Sequence, residues 1–160
     1  MELVVGENTY VTIEEANEYV ENSMLSTDGR KTAWEKLCDN DKAVYLRNSL
    51  LEIESLPFIG YKVFLDQPLC FPRVRSAFGS PTTIPNIIKT AQMKNALAML
   101  PVTENAGILK RKQLQLSGVT STSMEGFSES YVFINNANKV TDRSVLDLLT
   151  PWLIGAIDIE

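Results

Sequence analysis

Seven residues, Gln67–Pro68–Leu69–Cys70–Phe71–Pro72–Arg73, constrain the fold of this chain more than any other stretch. Each proline fixes its own φ, removes a backbone donor and pushes the preceding residue toward an extended conformation, so Gln67 and Phe71 are expected to be extended. The segment therefore cannot be helical. Helical patterns lie on both sides of it, so it is expected to cross the body of the domain as a stiff strap. Pro68, Leu69, Phe71 and Pro72 then form a structural staple between the helices that frame it. Cys70 has no cationic neighbour in sequence other than Arg73 and Arg75, so little would make it a thiolate. Arg73 is expected at the exposed end of the strap, available to an acidic residue of the same or an adjacent subunit.

The 160 residues, 44% hydrophobic and 22% charged, suit one soluble domain over 1–160 with a real core. No apolar run approaches the roughly 18 residues of a membrane span, and Met1–Gly6 lacks the basic start of a signal peptide. The chain is expected to be made and kept inside a cell, away from membranes. Cys38 and Cys70 lie far apart and read as buried free thiols, not a disulfide framework.

Histidine is absent. That removes the usual general base, the common zinc ligand and any Ser/His/Asp or Cys/His arrangement. The carboxylate pairs that remain, Glu14–Glu15 and Asp39 with Asp41, sit where helix starts favour negative charge. There is no glycine-rich phosphate loop and no cluster with metal-ligand spacing. No catalytic residue, metal or cofactor is expected, and the chain does not read as an enzyme.

In chain order, Leu3–Val5 reads as a short strand, Gly6–Asn8 as a turn, and Tyr10–Val11 as an extended pair. Thr12 with Glu15 makes a capping box for a first helix whose inner face is Ile13, Ala16, Asn17 and Val20. Thr27–Gly29 reads as loop, and a short second helix is expected from about Thr32, carrying Ala33, Trp34 and Leu37. From about Asp41 to Leu56 a central core helix follows. Its drifting apolar face runs through Ala43, Val44, Arg47, Leu50, Leu51 and Glu54, widened by Leu46, Ile53 and Leu56, until Pro57 ends it. Val74–Thr83 reads as an exposed loop. Pro85 then opens a long apolar helix that Pro101 stops.

Between about 108 and 135 the pattern turns polar and β-prone. Ile108–Ser117 and the residues after it suggest an extended arm, with Tyr131–Ile134 as the return strand across a loop holding Gly126. Such an arm either orders against another chain or remains a surface loop. Asp142 can cap a last helix carrying Val145, Leu146, Leu148 and Leu149 before Pro151. The apolar tail 151–160, with Trp152, Leu153, Ile154 and Ile157, must be buried in its own core or in a partner. The fold class is thus mainly α: a compact bundle of four to five helices, with the strap and a β-hairpin-like arm between the last two.

The run Val5–Gly6–Glu7–Asn8–Thr9–Tyr10–Val11–Thr12–Ile13–Glu14–Glu15–Ala16 resembles the start of a family of small phage proteins often labelled DnaT-like single-stranded-DNA-binding. The Trp34 segment, the Ala43–Ile53 helix, Gly60 with the strap, the Pro85–Leu100 helix and Leu148–Trp152 continue the resemblance in order. Members of that family also look like the helical adaptors of tailed-phage necks. The resemblance implies a head-tail connector that docks as a ring on the portal, dodecameric by the same likeness, and meets a tail-side neck protein. Packaged DNA would pass through without specific binding. Its place would be the virion neck, after synthesis in the host cytoplasm. The candidate subunit or portal contacts are then Arg73, Lys110, Arg111, Lys112, Tyr131, Phe133, Trp152, Leu153, Ile154 and Ile157. In this chain the basic entry to the arm, Lys110–Arg111–Lys112, is present, but the glycine comes late, at Gly118.

Two classes of function compete, a ring-forming connector and a single-stranded-DNA-binding protein of replication. A DNA binder gains affinity by releasing counterions with Lys and Arg and stacks bases on aromatics. This chain has net charge −5 and one short basic cluster. An acidic ring would let DNA pass without sticking.

Overall fold

Thr12 starts the helical body. Its Oγ1 accepts from the Glu15 amide at 3.1 Å while Glu15 Oε2 accepts from the Thr12 amide at 2.9 Å, the reciprocal capping box expected for this pair. Thr12→Ala removes one half of it and is expected to cost about 1 kcal/mol, read as a lower urea midpoint at unchanged slope. The computed structural model describes residues 2–74, 83–101, 121–124, 127–130 and 139–154. Ahead of Thr12, the expected strand Leu3–Val5 is reduced to a single bridge between Val5 and Thr9. The Asn8 side chain explains this: it accepts from the Val4 amide at 2.8 Å and donates to the Glu2 carbonyl at 3.1 Å, closing a local turn in place of a ladder. Gly6 sits in that turn at φ +87°, a conformation open to glycine.

Helix α1 (Ile13–Ser23) buries Ala16 and Val20. Helix α2 (Gly29–Glu35) starts earlier than the apolar pattern suggests, because Asp28, assigned to a loop above, caps it. Asp28 accepts from the Arg30 amide at 2.9 Å and holds the Arg30 guanidinium at 2.8 Å. Helix α3 (Asp39–Glu54) has Asp39 and Asp41 in its first turn, where the helix dipole favours them.

The inner face of α3 keeps Ala43, Leu46, Leu50 and Ile53 of the apolar residues expected on it, with Leu56 just past its end, and drops Val44 and Leu51. Ala43, Leu46, Leu50 and Ile53 are buried together with Lys42 and Ser49, whereas Val44 and Leu51 stand 45% and 65% exposed. Polar contacts set this register. Ser49 Oγ donates to the Gln92 carbonyl at 2.7 Å and the Gln92 amide donates to the Leu46 carbonyl at 2.9 Å, rotating the Leu46–Ser49 line inward.

Helix α4 (Asn86–Ala98) follows Pro85, which occupies the N-cap position, one residue outside the helix. It packs against α3 and against α5 (Arg143–Leu149), with α1 touching both α3 and α4. Buried Ala91 and Ala96 let α4 approach its neighbours closely. Asp142 caps α5 through the Ser144 amide at 2.9 Å, as expected, and a 3₁₀ turn, Thr150–Trp152, carries Pro151. The protein is mainly helical, with five α-helices among the described residues.

The 67–73 segment is not a straight strap. Strand β1 (Tyr61–Lys62) pairs antiparallel with β2 (Arg73–Val74), so 61–74 is one loop and the proline-flanked residues are its returning limb. Gln67 makes it fold back: its Oε1 accepts from the Phe64 amide at 3.0 Å, and its Nε2 donates to the Leu69 and Pro72 carbonyls at 2.8 and 3.1 Å. The Phe71–Pro72 bond is cis. Leu69 and Phe71 do enter the core, but Pro68 is exposed and Pro72 half-buried, so two of the four staple residues perform the stapling.

A second antiparallel hairpin joins β3 (Ser121–Met124) to β4 (Phe127–Ser130), with Met124 opposite Phe127. The return strand is therefore Phe127–Ser130, closer than the expected Tyr131–Ile134, because only two residues separate the strands. Residues 75–82 of the expected loop and the rest of the expected arm lie outside the described residues.

A candidate docking surface

Phe71 is the centre of the core. Its ring meets Phe58, Trp152 and Tyr10 edge-on, at centroid distances of 4.8, 5.2 and 6.1 Å. Its amide donates to the Tyr10 hydroxyl, which donates to Glu54 Oε1, while Glu54 Oε2 accepts from the Cys70 amide at 2.8 Å. Burial and the adjacent Glu54 carboxylate keep the Tyr10 phenol protonated far above its usual range. The same two causes push the Cys70 thiol up to about 11. Cys70 is thus a poor nucleophile, as its sequence setting implies. Cys38, by contrast, is exposed, which corrects the expectation of two buried thiols. A thiol titration at pH 8 is expected to show one fast-reacting cysteine, abolished by Cys38→Ser, and a slow Cys70.

On this core stands the 61–66 loop. Tyr61 is 82%, Phe64 54% and Leu65 102% exposed, three apolar side chains within five residues. Its base is heavily tied. Lys62 Nζ donates to the Gln67 carbonyl at 3.0 Å, Val63 N to the Pro72 carbonyl at 3.2 Å, and Gln67 spans the interior as described. Arg73 completes the brace. Its guanidinium donates to the Phe58, Ile59 and Gly60 carbonyls at 3.2, 3.0 and 2.6 Å, half-buried, where the sequence suggested an exposed end awaiting a carboxylate. The planar fork suits this, since several carbonyls can be met at once.

In the tail, Trp152 and Leu153 are covered by the protein's own core. Trp152 packs on Phe71, and Leu153 is buried and bridged to Phe58. The Trp152 carbonyl accepts from Ile59 N at 2.9 Å and Ile154 N donates to the Pro57 carbonyl at 2.8 Å. Ile154 itself stands 62% exposed. Lys110, Arg111, Lys112, Tyr131, Phe133 and Ile157 lie outside the described residues, so no geometry joins them to this surface.

Cations among the described residues are largely bound within the fold. Lys31 pairs with Glu21 and Lys89 with Glu15, Arg30 grips Asp28, and Lys139 meets the Ser55 carbonyl. Lys42 is buried, donating to Asn17 Oδ1 at 3.0 Å beside the Trp34 ring. No helix among the described residues is long and apolar enough to cross a membrane, and no described group of His, Cys, Asp or Glu is placed to hold a metal ion.

A family model described as "Putative DnaT-like ssDNA binding protein" matches residues 2–158. The chain belongs to this family. No curated protein and no solved structure matched it. Within this DnaT-like member, the exposed residues of the 61–66 loop were not picked out from the sequence. The signal was there: Val63–Phe64–Leu65 is an apolar triplet directly before the turn residues Asp66–Gln67–Pro68.

Proposed function

We propose that this DnaT-like protein is a structural adaptor of a tailed-phage neck. It docks as a ring on the portal and links the DNA-filled head to the tail through a tail-side neck protein. Its workplace is the virion neck, after synthesis in the host cytoplasm. The observation that carries the reading is the braced loop: Phe64 and Leu65 are held out into solvent by a base that has no slack to withdraw them. Exposed apolar side chains on a rigid support are the mark of a protein contact. The net charge of −5 agrees with a surface that does not hold passing DNA.

The family description favours a second reading, single-stranded-DNA binding, and the exposed aromatics Tyr61 and Phe64 could serve as stacking platforms in it. Against it, the ammonium between them, Lys62, is turned onto the Gln67 and Pro68 carbonyls, and the neighbouring charge is Asp66. Fluorescence anisotropy with a labelled oligothymidine separates the two. The adaptor reading expects no binding at about 0.15 M salt, near physiological ionic strength. Binding that weakens linearly in log salt and is lost in Tyr61→Ala and Phe64→Ala would establish the second reading instead.

A further inference from the structure

We draw no further inference here: the strongest candidate, the open cavity between α1, α2 and α3 lined by Trp34 and Lys42 with Glu18, Glu21 and Glu35, carries nothing, because Lys42 is bound to Asn17 and Glu21 to Lys31, the charges around it are of both signs, and nothing in the structure shows what fills it.

Discussion

Phe71→Ala is expected to destabilise the protein by about 3–5 kcal/mol, a large share of the roughly 5–15 kcal/mol that holds a domain folded. The ring is 1% exposed and touches three other aromatic rings drawn from the N-terminal segment, the α3 exit and the tail. Truncation leaves a cavity that these separate pieces of chain cannot close together, since Tyr10 is held by Glu54 and Trp152 by its backbone bond to Ile59. Urea unfolding should show the full loss. Leu65→Ser, on the exposed loop tip, should change stability by no more than about 0.5 kcal/mol. If the two variants were equally destabilised, the division between an inward staple and an outward docking edge would be wrong.

Gln92→Leu should have the next largest effect, about 2–4 kcal/mol. Gln92 is fully buried. Its Oε1 accepts from the Tyr10 amide at 2.9 Å and its Nε2 donates to the Leu46 carbonyl and to Thr9 Oγ1 at 2.9 and 3.1 Å. Leucine roughly matches the volume but leaves the Tyr10 N–H and the Leu46 C=O without these partners in a dry interior. Hydrogen exchange should localise the damage, with the Tyr10 amide losing protection before the α4 amides do. A loss spread evenly over every element would mean that Gln92 serves only as filler.

These two residues also mark what could and could not be read from sequence. Helix starts were legible at Thr12 and Asp142, because a side-chain acceptor two or three residues before its donor is a local event. The burial of Phe71 and Leu69 followed from an apolar pair confined between prolines. The inner face of α3 was legible only in part, through Ala43, Leu46, Leu50, Ile53 and, just past its end, Leu56. Its apolar positions Val44 and Leu51 pointed one way, and Ser49, gripped from 43 residues away by Gln92, decided otherwise. No periodicity contains a hydrogen bond to a distant carbonyl. The same limit hid the true course of the strap, whose fold-back depends on the Gln67 amide, and the role of Arg73, whose guanidinium serves backbone carbonyls that sequence does not place. The docking edge was missed for a different reason. An apolar triplet reads as core unless the bracing that holds it outward is known.

The measurement that bears most directly on the function is co-sedimentation with assembled portal protein of the same phage. The account predicts that the wild-type protein pellets with the portal in a fixed ratio, and that a Phe64→Ser/Leu65→Ser variant, folded as well as wild type by urea unfolding, stays in the supernatant. A wild-type protein that stays in the supernatant while binding oligothymidine at physiological salt would contradict it.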